Sequence, residues 1–350
     1  MNPKGLLRVQ GTIRVSQFWP AGESDADTAK IIVTLDPKRS FLFRESKGKP
    51  FKPTRAFIGA SVGGKSVITT HKKSGESTVT IRLQGIDAPE LHYNPSPLSK
   101  QEKSSASGAA LAAFKALNKK YRQHWGETCA DTLRALLAST KKSELSCTVD
   151  TAVDHPGDVF DKYGRLIGDI FVTVKGKKVD INHWLAETGW AFPAFYESMT
   201  LPEIDAILKP AQKARENGTG IYPGATNTAG VFDFNLIFRA PKSVGGFHAG
   251  EDAGTVIFPK FFRRQCSWAT RNRAGITSLT FEGWLRAGQE EYIPLDAFRA
   301  AGGDPEVAKP SRRKLADTLQ AGVFDHSGFD MIFLEAPANL YKNGKPVTRW

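Results

Sequence analysis

Over residues 6 to 15, Leu7, Val9, Ile13 and Val15 share one parity, the two-residue period of a half-buried strand. Gly11 interrupts the run and predicts a bend or bulge. The turn-rich stretch WPAGESDAD separates this strand from a second at residues 29–33. Further strands are predicted at Val79–Leu83, at Leu145–Val149 and at IGDIFVTV, the last closed by the turn Lys175-Gly176-Lys177. The period then shifts to 3.6. Leu133, Leu136, Leu137 and Thr140 form one stripe of a helix over residues 128–140. The alanine-rich residues 105–122 are predicted to be helical. INHWLAETG is a short helix closed by Gly189, and residues 203–216 are another, ending at Asn217-Gly218.

Two stretches break this pattern. Residues 37–78 are rich in Gly, Ser and Pro, with AFIGASV and SVITT as short strands, and look like an insertion in or beside a barrel hairpin. Residues 220–230 are rich in Gly, Pro and Asn and mark a domain boundary. Beyond it FDFNLIF, VIFPKFF and FDMIFLE look like strands, and TSLTFEGWLRA and RRKLADTLQ like helices. The pattern therefore divides the chain into residues 1–229 and a smaller mixed α/β domain at residues 230–350, whose phenylalanines belong to a core. That second domain is expected to add no catalytic group, and a protein partner is its natural role.

Charge adds to this picture. The net charge is +12, which favours a polyanionic partner such as DNA or RNA. The insertion holds ten Lys or Arg against Glu45 and Glu76, and is expected to extend a nucleic-acid surface. No apolar run is long enough to span a bilayer, and the start MNPKGLLRVQGTIRV has no apolar leader core. These features predict a cytoplasmic protein with no membrane partner. Cys129, Cys147 and Cys266 are too few and too scattered for a zinc cluster, and are read as small buried or half-buried residues.

Three segments carry chemistry. Asp25 and Asp27 alternate in an acidic loop, and Arg82 sits in an apolar strand followed by Asp87 and Glu90. Asp161-Lys162-Tyr163-Gly164-Arg165 precedes the next strand. An arginine in such a strand needs a charged partner. Carboxylates from separate loops are the start of a site for a hard divalent cation. Arginine forks match phosphate oxygens, and a carboxylate can take a proton from water. If the segments converge, the set suits phosphodiester hydrolysis. Taken singly, each has a plainer reading as a solvated turn, a structural ion pair or a turn arginine.

In order and spacing, these segments resemble the staphylococcal nuclease (thermonuclease) family. The resemblance rests on Asp25-Ala26-Asp27-Thr28, on Arg82 followed by Gly85-Ile86-Asp87-Ala88-Pro89-Glu90, and on Asp161 to Arg165. It extends to Ile181-Asn182-His183-Trp184-Leu185 with Gly189 and Ala191, and to Ala214-Arg215 before Gly220-Ile221-Tyr222. It covers roughly residues 6 to 224. The resemblance implies an α+β, mainly β fold: a five-stranded OB-like barrel with packed helices. It implies a calcium-dependent endonuclease acting on DNA or RNA and leaving 3′-phosphate ends. Asp27 and Asp87 would be calcium ligands together with the Ala88 carbonyl, and Glu90 the general base. Arg82 and Arg165 would hold the scissile phosphate, with Lys162, Tyr163 and Tyr196 beside the nucleotide. Phe195 and Tyr196 fall where the family places tyrosines. The basic insertion and the tail depart from the compact family pattern. The alternative is a nucleic-acid-binding or scaffold protein with an inactive barrel.

Overall fold

The computed structural model describes residues 5–153, 155–230, 232–335 and 338–350. The chain forms two compact units, each assembled from separated stretches. The first contains Met1–Ile86, Ala130–Leu185 and Glu335–Trp350, and the second Asp87–Cys129 and Ala186–Leu334.

The first unit is built on a closed barrel of five strands. Its order is Glu144–Val153, Leu166–Val174, Ser77–Leu83, Thr28–Val33 and Gly5–Arg14, which pairs back onto Glu144–Val153. All pairings are antiparallel except Leu166–Val174 with Ser77–Leu83. Leu7, Val9, Ile13, Ile31, Ile81, Val149 and Ile170 fill the interior, so the alternating residues predicted to face inward do so. The register with Glu144–Val153 runs unbroken through Gly11, which lies opposite Cys147. Gly11 is thus no bulge. Its role is close approach, because a Cβ there would collide with the Ile32 carbonyl. The three cysteines are buried and form no disulfide.

The insertion is not a solvated flap. Phe41–Arg44 pairs with Gly5–Arg14 and so widens the barrel sheet. Ala60–Val62 pairs with Leu340–Lys342 near the end of the chain. Phe41, Phe57, Val62 and Val67 are buried. Trp350 stacks on Phe43 with ring centroids 4.1 Å apart. AFIGASV contributes the short strand Ala60–Val62, and SVITT the end of Lys65–Ser66 and all of Thr69–Thr70. Lys38, Arg39, Lys47, Lys49, Lys52, Arg55, Lys65, Lys72 and Lys73 are exposed.

The second unit is mixed α/β. A four-stranded sheet runs Phe195–Tyr196, Met331–Phe333, Glu291–Pro294, Arg313–Lys314. Several expected elements change here. The helix over 105–122 is two helices, Lys100–Ser105 and Gly108–Leu117. The break falls at Ser107, whose side chain caps the second through the Ala110 amide at 3.2 Å. FDFNLIF forms no strand among its described residues; Phe232 and Phe234 instead pack edge-on against Tyr121. VIFPKFF keeps a strand only at Val256–Ile257, because Pro259 starts the helix Pro259–Arg273. RRKLADTLQ is short strands around a single tight turn rather than a helix. Leu315, Ala316 and Leu319 are all buried there. The predicted helix in TSLTFEGWLRA is present at Phe281–Gly288, capped by Thr280.

Residues from the tail also complete the earlier part of this unit. The start of the helix Gly126–Ala138 is held by an acidic residue of the tail. The Asp252 carboxylate accepts from the Glu127 amide at 2.9 Å, and also from the Thr128 hydroxyl. The fully buried Glu127 is held by Arg239. Independent folding of residues 230–350 is therefore a proposal that a truncated chain must decide.

Candidate functional site

In the first unit the barrel register sets the central pair. Thr28 lies opposite Arg82 across antiparallel strands, which brings the preceding residue, Asp27, to the guanidinium. Asp27 is 3% exposed and its carboxylate meets Arg82 Nη1. The Asp27 carbonyl accepts from the Leu83 amide at 2.9 Å, and Thr28 Oγ1 donates to the Asp27 carboxylate at 3.2 Å. Arg82 Nη2 reaches the Ile86 carbonyl at 3.3 Å. That return is possible because Gly85, at φ +77°, turns the chain tightly.

The Asp161–Arg165 turn, in the same unit, is organised by its aspartate. Asp161 accepts from the amides of Tyr163 and Arg165, both at 2.9 Å, and from Arg165 Nε at 2.7 Å. Gly164, at φ +82°, closes the turn. Tyr163 is left 60% exposed. Lys162 and Arg165 lie 5.2 and 5.5 Å from the centroid of its ring, an open aromatic face between two cations.

The second unit holds Asp87, Ala88, Glu90 and Tyr196. Asp87 and Ala88 are buried, at 1% and 3% exposure. The Glu90 backbone is fixed by Gln123, which accepts from its amide at 3.0 Å and donates to its carbonyl at 2.7 Å. Gln123 is itself buried and donates to the Ile257 carbonyl at 2.7 Å. Phe195 is core, while Tyr196 is half-buried on the sheet edge strand.

The residue that sequence reasoning missed is Arg263, on the helix Pro259–Arg273. Its Nη2 and Nη1 bind the two Asp87 oxygens at 2.8 and 3.1 Å, and Nη1 also meets Glu90 Oε1. Burial disfavours the guanidinium charge, but Asp87 and Glu90 outweigh it and hold its pKa well above the usual value. One turn away Glu290 takes Arg264 at 2.5 and 2.9 Å and Lys260 at 3.0 Å. Burial pulls the Lys260 ammonium down to about 8, against the pull of Glu290. The tail, expected to add no catalytic group, thus places a side chain directly on the matched carboxylates. Pro259, with basic residues at 260, 263, 264 and 271, was the available signal: a helix start followed by cations at helical spacing.

This arrangement does not fit a divalent cation. Carboxylate oxygens are the right chemistry for calcium, but both Asp87 oxygens and a Glu90 oxygen are bound to Arg263. Among the described residues no group of three or more His, Cys, Asp or Glu stands together to hold a metal ion.

Residues 80–223 match the model of the family described as staphylococcal nuclease homologue, so this stretch carries a domain of that family. The tail beyond it remains unassigned. Over 147 residues the chain is 26% identical to an uncharacterized protein of Methanocaldococcus jannaschii, covering 42% of this chain and 62% of the relative. The chain thus spans less than two thirds of that relative's length. A domain of this family points to nuclease-type or nucleic-acid-binding function. Among the described residues no helix is long and apolar enough to cross a membrane.

Proposed function

We propose that this protein binds nucleic acid through its barrel unit and hydrolyses phosphodiester bonds. The observation that carries this reading is the pairing of Asp27 with Arg82 inside a closed five-stranded barrel whose later strands match the nuclease family. Arg82 and Arg165 take the role of phosphate-binding guanidinium groups. Tyr163, exposed between Lys162 and Arg165, is a stacking face for a base or a terminal nucleotide, and Tyr196 is a second candidate for that role. Glu90 takes the base's role at its motif position. The exposed lysines and arginines of residues 37–78 add backbone affinity without reading sequence.

Calcium dependence and 3′-phosphate products are the finer form of this reading. With Arg263 on Asp87 and Glu90, calcium dependence requires that guanidinium to leave first. A second reading, nucleic-acid binding without cleavage, is favoured by a specific observation: Asp27, Asp161, Asp87 and Glu90 are each paired with an arginine of the chain. A protein partner on residues 230–350 is a further proposal. Digestion of labelled single- and double-stranded DNA and RNA in calcium, magnesium or chelator separates the readings. Cleavage with 3′-phosphate ends is the expected result. Tight binding with intact substrate under every condition would establish the second reading.

A further inference from the structure

Two carboxylates of the family pattern, the metal position Asp87 and the base position Glu90, already hold a cation. We propose that Arg263 is the resident cation of the Asp87–Glu90 pair, and that a divalent ion reaches these carboxylates only when the guanidinium leaves. The geometry is a fork: two nitrogens on the two Asp87 oxygens at 2.8 and 3.1 Å, one of them shared with Glu90. A planar guanidinium matches a carboxylate in this bidentate manner. Calcium asks for six to eight oxygens at about 2.3–2.6 Å, so the same Asp87 oxygens cannot serve both.

Three further features hold Arg263 in place. Asp87 is 1% exposed, so loss of the arginine would strip a buried carboxylate of its charge partner. The helix is anchored on both sides of Arg263, by buried Phe261 and Phe262 and by buried Cys266 and Thr270. About two turns beyond Arg263, Arg271 donates to Glu102 at 2.7 Å and to the Pro97 carbonyl at 2.9 Å. The neighbouring cations are also allocated elsewhere, Lys260 and Arg264 both to Glu290. Arg263 is thus the helix's cation for Asp87 and Glu90.

The test is calcium binding to the full chain, read by calorimetry and by thermal melting in metal-stripped buffer. The wild-type chain should show no Asp87-dependent calcium site up to millimolar concentration, and its Tm should not move with calcium. Arg263→Gln should melt lower in chelator, gain a calcium site at least tenfold tighter than wild type, and recover Tm as calcium rises. Adding Asp87→Asn should abolish the gain. Folding of Arg263→Gln only in calcium also supports the proposal. If that variant folds in neither condition, Arg263→Lys, which keeps the charge and loses the fork, must show the tenfold gain. Wild-type calcium binding through Asp87 as tight as the variant's would overturn the assignment, as would a folded variant with no gain. No readout involves cleavage, so this proposal and the nuclease reading fail separately.

Discussion

The arginine–carboxylate contacts of the two units differ in how the chain makes them. In the first unit Arg165 meets Asp161 four residues away, and Arg82 meets Asp27 because two adjacent strands share a register. In the second, Arg263 crosses 176 residues of sequence to Asp87 and 173 to Glu90. The first kind comes with the barrel itself, since any chain with those strands in that order places the aspartate beside the arginine. The second depends on where a separate helix packs. A family motif can therefore be complete in sequence while its electrostatic partner lies in a part of the chain the family does not describe.

The largest expected effect sharpens this contrast. Arg82→Ala and Arg263→Ala each break a buried pair, and each should lower stability by about 3–5 kcal/mol, read from denaturant midpoints at constant m. Only the Arg263 variant should regain stability with calcium. Recovery of both, or of neither, would erase the distinction between a pair fixed by the barrel and a cation standing at a metal position.

Catalysis gives the next effect. Arg82→Ala and Arg165→Ala should each lower kcat/KM on short substrates by about 100- to 1,000-fold, as removal of a preorganised donor does elsewhere. Affinity for long DNA should fall far less, because it is spread over many basic residues. A loss of binding that matches the loss of rate would mean that these arginines only hold substrate.

The pH dependence of the tail cluster is smaller. Burial raises the Glu290 carboxyl, but Lys260 and Arg264 outweigh burial and bring it down to about 2, from an ordinary 4.5. A depressed carboxyl contributes stability that is fully present above its unfolded pKa and is lost as pH falls through the folded one. Stability should therefore decline from about pH 4.5 towards 2 in this window, and Glu290→Gln should remove that component. An unchanged acid profile in the folded variant would assign the decline to other carboxylates.

The smallest effect belongs to the basic insertion. Charge reversal at Lys47, Lys49 and Lys52, all exposed, should flatten the slope of log affinity against log salt by roughly 0.7–0.9 for each phosphate no longer neutralised. Turnover of a very short substrate should persist. Unchanged slope and affinity in a folded variant would leave these lysines as solubilising charge.

Much of the molecule was legible from local pattern. Two-residue alternation located the barrel strands, and helical spacing located Gly126–Ala138 and Leu201–Glu216, because burial of one face is a local requirement. The tail was read less well. Its phenylalanines suggested strands, yet Phe258, Phe261 and Phe324 pack as a ring cluster around a helix, with Phe261 stacked on Phe324 at 3.9 Å. An aromatic run satisfies a strand or a helix equally until its neighbours are known.

By itself the sequence singled out candidates for chemistry: Asp27, Arg82, Asp87, Glu90 and Arg165 are given by motif. Only the tertiary structure decided what those groups touch. Phe41–Arg44 entering the barrel sheet, Asp252 capping a helix that begins at Gly126, and Arg263 lying on Asp87 and Glu90 are all contacts between distant stretches. Local propensity carries no record of them, since a buried charge is stabilised by whichever opposite charge packing brings to it.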